Sequence, residues 1–285
     1  MALSAVIGVP LRKPRREAGF GYVAPALVVI AIFFILPVLM LLLRSVLEPQ
    51  PGLQNYETLL GSTTYLRVFL NTFIVAGLAT FVAVIVGYPV AWMLAIMPEK
   101  WSRLVLAIII LSMWTNLLAR TYAWMVLLQR TGVINKTLIA LGLIDKPLPL
   151  VNNLVGVTIG MTYIMLPFVI LPLIGVLRSI DPGILRAAAL CGANKRQSFT
   201  RILLPLSLPG VAAGALMVFV MSLGYFVTPA LLGGTSNMML AELVAQFVQS
   251  LVNWGMGGAA ALVLLIVTLA LYAVQLRFFN PNKAR

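Results

Sequence analysis

Long, uninterrupted apolar runs constrain this chain more than any other feature. Several exceed about 20 residues, the length that an α-helix needs to cross a hydrocarbon core about 30 Å thick. Lipid offers no partner to backbone N–H and C=O groups, so only helices and closed barrels span it, and these runs lack the alternation of barrel strands. Of the 285 residues, 61% are hydrophobic and 9% are charged, against about a quarter charged in a typical soluble domain. An all-α integral membrane protein is therefore predicted.

The apolar runs predict six transmembrane helices, at residues 19–43, 68–97, 104–128, 153–177, 207–232 and 255–279. The first run follows a basic stretch, as in a signal peptide, but it is longer than an h-region of about 7–15 residues, so we expect it to be retained. The predicted division is a tail at 1–18, a six-helix domain at 19–279 and a second tail at 280–285.

Shorter apolar segments lie between the predicted spans. Residues 133–142 and 238–250 are too short to cross a membrane, which favours interfacial or re-entrant helices. The glycine pairs Gly156/Gly160 and Gly210/Gly214 have the spacing that allows close helix packing.

Positive charge is distributed unevenly around the predicted helices. With the N-terminus in the cytoplasm, 14 of the 20 Lys and Arg residues fall on the cytoplasmic side, as the positive-inside rule requires. Both termini and the loop at 178–206 are therefore expected to be cytoplasmic. The net charge of +13 lies in short clusters beside apolar runs, so it indicates membrane orientation and not nucleic-acid binding. The chain has one cysteine, Cys191, and no histidine, so we expect no metal site.

A cationic segment, residues 181–209, separates two of the apolar runs. Asp181 followed by Pro182 is typical of a helix start, because the carboxylate can cap free N–H groups and proline is tolerated in the first turn. Three alanines at 187–189 predict a helix with a small-residue surface. Gly192 suits the left-handed residue that ends a helix.

A second short helix is predicted from about Asn194 to Leu203. It carries Lys195 and two arginines, and Pro205 is expected to end it before the next span. Two interpretations of the whole segment remain open on physical grounds. It is either a surface on which another protein docks or an ordinary inside loop made cationic by the positive-inside rule.

The segment resembles the EAA loop of importer-type ABC permeases, whose pattern is E-A-A-x-x-x-G followed by nine residues and I-x-L-P. The matching positions in this chain are Ala187, Ala188, Gly192, Ile202, Leu204 and Pro205. Arg186 stands where the family usually has glutamate, so a carboxylate contact at that position is not expected.

Three further stretches resemble the spermidine/putrescine branch of these permeases: WTNLLARTYAWMVLLQRTGVIN (114–135), YIMLPFVILPL (163–173) and FVTPALLGG (226–234). Related branches import opines, other small amines, aminophosphonates or thiamine. The resemblance implies a type I ABC importer fold in the bacterial inner membrane. It also implies a second permease subunit, two cytoplasmic ATPase subunits and an extracytoplasmic substrate-binding protein as partners.

The source of energy is expected to lie outside this chain. No G-x-x-x-x-G-K-[ST] loop is present, so we expect a non-catalytic subunit, with ATP and Mg²⁺ bound by the partner ATPase. The alternative is an ion-coupled secondary transporter, but such carriers usually place carboxylates or histidines within the membrane. All seven acidic residues fall in predicted loops or at span edges.

Candidate pathway residues lie towards the outer side. Arg120 is 17 residues beyond Arg103, or about 26 Å along a continuous helix; it either lines a cavity, pairs with Glu242 or extends to the interface. Aromatic rings attract amines through cation–π contacts, and Pro229 weakens the helix beside two of them. The candidates are Trp114, Arg120, Tyr122, Tyr163, Tyr225, Phe226, Thr228 and Glu242. Charges in the outer segments nearly cancel, so we expect selectivity to reside in the binding protein.

Overall fold

The computed structural model describes residues 18–278, with side chains from Val23 to Ala273. The predicted tails at 1–18 and 280–285 lie outside the described residues, except for Ala18. Within the described range the chain is helical and contains no strand. Five helices are long and apolar enough to cross a membrane, and one bent helix pair makes a sixth. The predicted all-α architecture is confirmed.

Fourteen α-helices make up the described part of the chain. In chain order they are α1 (Ala18–Ile30), α2 (Leu36–Leu47), α3 (Gln54–Gly61), α4 (Thr63–Ile96), α5 (Glu99–Met113), α6 (Leu117–Leu128), α7 (Val133–Ala140), α8 (Leu154–Ser179), α9 (Pro182–Leu190), α10 (Lys195–Ser198), α11 (Leu204–Leu223), α12 (Val227–Leu232), α13 (Leu240–Ala245) and α14 (Trp254–Phe278). Three π-helical turns continue helices without a break, at Ala31–Ile35, Phe199–Leu203 and Gln246–Ser250.

The first helix, formed by α1, a π turn and α2, is the most lipid-like segment. Its most apolar window has a mean hydropathy of 3.2, and none of that window is buried within the chain. Its C-terminal end is fastened to α3, because Asn55 donates hydrogen bonds to the carbonyl oxygens of Ser45 and Glu48. Helix α2 also packs on α14, whereas most side chains of the preceding residues 23–35 are exposed.

Helix α8 lies at the centre of the core, between α4 and α11, and its Met161, Met165 and Ile170 are fully buried. Small residues on α11 allow this close packing. A Cβ atom on Gly210 would lie 2.9 Å from Cβ of Val176, and one on Gly214 would lie 3.0 Å from a backbone Cα of α8. The predicted packing role of these glycines is confirmed.

The third apolar segment is not the single helix predicted at 104–128. Helix α5 ends at Met113, and the chain resumes in a helical segment bent by 97° from it. Asn116 caps the new helix, because its Oδ1 accepts hydrogen bonds from the N–H groups of Leu118 and Ala119. The rise of about 26 Å expected for Arg120 along one straight helix is therefore wrong.

The fifth apolar segment also departs from the prediction. Pro205 does not end the helix, which runs unbroken over Lys195–Leu223. In the π turn before the proline, the N–H of Leu204 bonds to the carbonyl oxygen of Phe199, five residues back. This wider turn accommodates a ring that would clash in a regular helix. The helix then ends at Leu223, so the span predicted at 207–232 is interrupted before α12.

Short helices occupy the two segments predicted to be too short to span. Helix α7 falls within 133–142, and α13 with its π turn falls within 238–250. Helix α13 is fixed to α4, because the N–H of Leu240 donates a 2.8 Å hydrogen bond to Oγ1 of Thr72. These helices join the long ones into a single packed unit.

Candidate functional site

Residues 181–203 form an elbow, made of α9, a tight turn, α10 and the following π turn. Oδ1 of Asp181 accepts a 2.8 Å hydrogen bond from the N–H of Gly183, and Pro182 occupies the first helical position. The carboxylate thus pairs with one of the N–H groups that lack a partner at a helix start. The predicted start of α9 is confirmed, and no residue of α9 is buried.

The turn after α9 has the left-handed geometry predicted at Gly192, whose φ is +84°. The N–H of Gly192 bonds to the carbonyl oxygen of Ala189, and that of Ala193 bonds to the carbonyl oxygen of Ala188, each at 3.0 Å. This is the Schellman pattern of a helix end. No atom lies within 4 Å of the position of a Cβ at Gly192, so backbone conformation and not crowding restricts this position.

Helix α10 begins with a capping box that was not predicted. Oδ1 of Asn194 accepts from the N–H of Gln197, and Oε1 of Gln197 accepts from the N–H of Asn194, at 2.8 and 2.9 Å. The N-x-x-Q spacing was the available signal. Farther along, Ile202 and Leu204 are half-buried and Pro205 is exposed, where the elbow joins α11.

The surface of the elbow combines an apolar tip with basic flanks. Leu190 is 90% exposed and was not among the predicted site residues. Arg186, Ala187 and Lys195 are exposed around it, while Ala188 is half-buried. Fully burying a leucine side chain is worth about 1.5–3 kcal/mol. The tip of the elbow thus combines one exposed apolar side chain with basic neighbours.

Three predicted pathway residues come together where α11 gives way to α12. Tyr225 lies beside Thr228 and within electrostatic reach of the Arg120 guanidinium. The hydroxyl oxygens of Thr228 and Thr121 are 3.2 Å apart, and both side chains are fully buried. Nε of Arg120 and Oγ of Ser222 are buried without a hydrogen-bond partner among the described residues. This cluster offers unpaired polar atoms beside a break in a membrane helix.

Tyr163 lies at a second place, in a groove of about 450 Å³ between α4, α6 and α8. Its ring centroid is 5.4 Å from that of Trp124. Thr158 and Thr162 are among the few polar side chains in a lining that is otherwise apolar. Oγ1 of Thr162 is buried without a partner among the described residues, so the surface that the groove presents is apolar and includes ring faces.

The remaining pathway candidates are dispersed. Trp114 is 85% exposed at the end of α5, and Tyr122 and Phe226 are also exposed. The ion pair considered between Arg120 and Glu242 is not formed. The ion pairs among the described residues are Arg44–Glu48 and Arg103–Glu99.

Glu242 belongs to a different part of the structure, on α13. Its neighbours Leu240 and Leu243 pack with Leu59 and Val68 in a separate core cluster. Burial raises the pKa of the Glu242 carboxyl, and a hydrogen bond from the backbone of Met239 partly opposes that effect. Its Oε2 is buried without a hydrogen-bond partner among the described residues.

The sequence and this architecture match known transport proteins. A family model described as "Binding-protein-dependent transport system inner membrane component" matches residues 58–283. The chain belongs to this family. It is a permease subunit of an ABC importer, a multi-pass protein of the inner membrane, and the ion-coupled alternative is not favoured.

Curated relatives are similar over most of their length. The spermidine/putrescine transport system permease protein PotB of Escherichia coli (strain K12) is 35% identical over 246 residues, which cover 84% of this chain and 89% of that protein. PotB of Haemophilus influenzae is 34% identical, over 81% of this chain and 79% of that protein. The inner membrane ABC transporter permease protein YdcU of Escherichia coli is 33% identical, over 79% and 74%.

Solved structures share the fold of the permease. A bacterial alginate ABC transporter in complex with an alginate pentasaccharide-bound periplasmic protein superposes with a TM-score of 0.71 at 18% identity, covering 91% of this chain and 94% of that chain. The MetNI methionine ABC transporter in inward-facing conformations superposes with a TM-score of 0.57 at 20% identity, covering 79% and 97%. The predicted fold class is therefore confirmed.

Proposed function

We propose that this permease subunit forms half of the pathway for a small organic amine, and specifically for a polyamine such as spermidine or putrescine. The observation that carries the proposal is the 35% identity, over 84% of this chain, to proteins named spermidine/putrescine permeases. A binding protein delivers the amine to the outer side. We place selectivity in that protein, because the outer segments of this chain carry no acidic funnel.

The chemistry of the candidate pathway is compatible with weak, passing contacts to an amine. Ring faces at Tyr225, Phe226 and Tyr163 each contribute about 0.5–2 kcal/mol of cation–π attraction. Arg120 repels a cation near Tyr225, while the Glu242 carboxylate attracts one at a different place. A pathway must release its substrate as well as bind it, so weak sites suit transport better than a strong one.

Energy enters through the elbow. We propose that a cytoplasmic ATPase subunit, which binds ATP and Mg²⁺, covers the tip around Leu190 and the basic residues beside it. Closure of the ATPase pair then moves the elbow as a rigid body and switches the pathway between outward-facing and inward-facing states. Both termini and the elbow lie on the cytoplasmic side, and a second permease subunit supplies the other half of the pathway.

Reconstituted uptake tests this function. The chain is co-expressed with the ATPase, the second permease and the binding protein of the same transport system, and the complex is placed in proteoliposomes containing ATP. We expect ATP-dependent uptake of labelled spermidine or putrescine, and the binding protein should show a thermal shift with the same amines. Competition by an opine, an aminophosphonate or thiamine instead of polyamines would reassign the substrate. Uptake that persists with an ATPase unable to hydrolyse ATP would favour the ion-coupled carrier.

A further inference from the structure

The two limbs of the elbow attach to the membrane helices in different ways. The first limb, α9, has no buried residue. Two cavities, of about 370 and 320 Å³, lie beside it, and both are lined by Leu185 of α9, Trp92 of α4 and Leu203. Leu185 is the α9 side chain that packs on the buried cluster around Tyr88 and Leu203, so α9 rests on one apolar contact beside two cavities.

The second limb is held by an aromatic clasp, formed by Phe199 of the π turn with Tyr88 and Trp92 of α4. The centroid of the Phe199 ring is 5.8 Å from that of Tyr88, at an interplanar angle of 87°, and 5.8 Å from that of Trp92, at 48°. Tyr88 and Trp92 are four residues apart, so they lie on one face of α4. Edge-to-face and tilted ring pairs at such distances are favourable beyond the area they bury.

A buried hydrogen bond supports the clasp from within. The hydroxyl of Ser207 donates to the carbonyl oxygen of Leu204 at 2.9 Å. Its single proton is thereby used, so the Tyr88 hydroxyl is the donor in the 3.0 Å contact with Oγ of Ser207. Both side chains are buried. Tyr88 is thus fixed to α11 by its hydroxyl while its ring contacts Phe199.

The π turn places Phe199 in this position. It inserts one residue per turn relative to an α-helix and continues directly into α11. Displacement of α10 therefore reaches α4 and α11 together, through the ring contacts of Phe199 and the continuous helix. Such a junction switches between two packed arrangements and does not deform gradually.

We propose that Phe199 is the positioning residue that transmits movement of the elbow to the membrane helices, through its clasp with Tyr88 and Trp92. This inference rests on the proposed function, because it requires an ATPase that drives the elbow. The clasp does not bind the ATPase or the transported solute; it couples one to the other.

The test compares uptake with ATP hydrolysis in the reconstituted complex. For Phe199→Ala we expect the ATPase to remain bound and to hydrolyse ATP at a rate within about twofold of wild type. Solute taken up per ATP hydrolysed should fall by about tenfold, the size expected from losing one or two aromatic pairs that carry the coupling. Phe199→Tyr keeps the ring, so it should have the wild-type ratio of solute taken up to ATP hydrolysed.

Trp92→Ala removes the other side of the clasp from a half-exposed position on α4 and should lower the ratio in the same way, even if Phe199→Ala fails to assemble. Phe219→Ala is the matched control. It removes the contact between the Phe219 ring of α11 and the Phe73 ring of α4, and it should leave the ratio unchanged. If the clasp variants lose uptake and ATP hydrolysis in equal proportion, so that the ratio of solute to ATP is unchanged, the inference is overturned. A wild-type complex without ATP-dependent uptake defeats the proposed function instead.

Discussion

The hydroxyl oxygens of Thr121 and Thr228 lie 3.2 Å apart and join α6 to α12 where neither side chain is exposed. Thr121 already donates its proton to the carbonyl oxygen of Leu117 at 3.0 Å, so Thr228 donates to Thr121. On the other side, Gly160 of α8 comes so close that a Cβ there would lie 2.9 Å from Cγ2 of Thr228. The break after α11 is therefore fixed from two directions.

Loss of this hydrogen bond is expected to destabilise the fold. Thr228→Val keeps the shape of the side chain but removes the donor, and should lower the free energy of unfolding by about 1 kcal/mol. Thermal unfolding of the purified chain in detergent measures the change. Thr268→Val is the matched control, because that hydroxyl donates only to the backbone of its own helix, at Leu264. Equal shifts in the two variants contradict a role for the contact between helices.

The conformation of Gly192 makes a second prediction, about assembly. Gly192→Asp adds a side chain at a φ of +84°, where non-glycine residues are strained by about 1–2 kcal/mol. We expect the distorted turn to abolish stable association with the ATPase in a pull-down from detergent extracts.

Gly142→Asp provides the control for this substitution. Gly142 also has a positive φ, of +67°, and open space around its Cβ position, but it follows α7 and is not part of the elbow. It should bear the same strain without loss of the ATPase. If the Gly192→Asp variant retains the ATPase, the elbow is not part of the docking surface.

Local signals were sufficient to predict the first limb of the elbow. Asp181 and Pro182 mark its start, and Gly192 marks its end, because capping and left-handed geometry depend on neighbouring residues. The Asn194–Gln197 capping box obeys the same local rules and could also have been predicted from its spacing.

The bends in the membrane segments could not be predicted from apolar length. The run containing residues 114–116 satisfies the same criterion whether it is straight or bent, and it lacks Gly and Pro at the break. Pro205 was expected to end a helix, but the preceding π turn has no sequence signature and accommodates the ring. Hydropathy thus locates a span without determining its path.

The candidate pathway cluster and the aromatic clasp depend on contacts that one sequence does not reveal. Thr121 and Thr228 are 107 positions apart, and Tyr88 and Ser207 are 119 apart. Each of these residues is unremarkable in its own segment. Only the packing of α6 against α12, and of α4 against α11, brings these polar atoms together, which is why the sequence did not place Arg120 beside Tyr225 and Thr228.

Orientation can be tested through Cys191, the single cysteine of the sequence, whose thiol is exposed. A membrane-impermeant maleimide should label it in inverted inner-membrane vesicles and not in intact cells. Bound ATPase should slow the labelling, because the thiol lies next to Leu190 at the tip of the elbow. The Cys191→Ser variant measures background labelling. If Cys191 is labelled in intact cells, the proposed topology is wrong.

Tyr225 is the candidate pathway residue with the most specific prediction. It lies at the break between α11 and α12, beside the buried Thr228 and within electrostatic reach of Arg120, whose Nε has no hydrogen-bond partner in the part of the chain that the structure describes. Tyr225→Ala removes the ring face, so uptake by the assembled importer should fall by about tenfold, the upper part of the range for one lost cation–π contact. Tyr225→Phe should retain most of the uptake, because it keeps the ring. Tyr272→Ala, on an exposed position of α14, should not reduce uptake. Normal uptake by Tyr225→Ala, with assembly intact in all three variants, would show that the ring does not contact the transported amine.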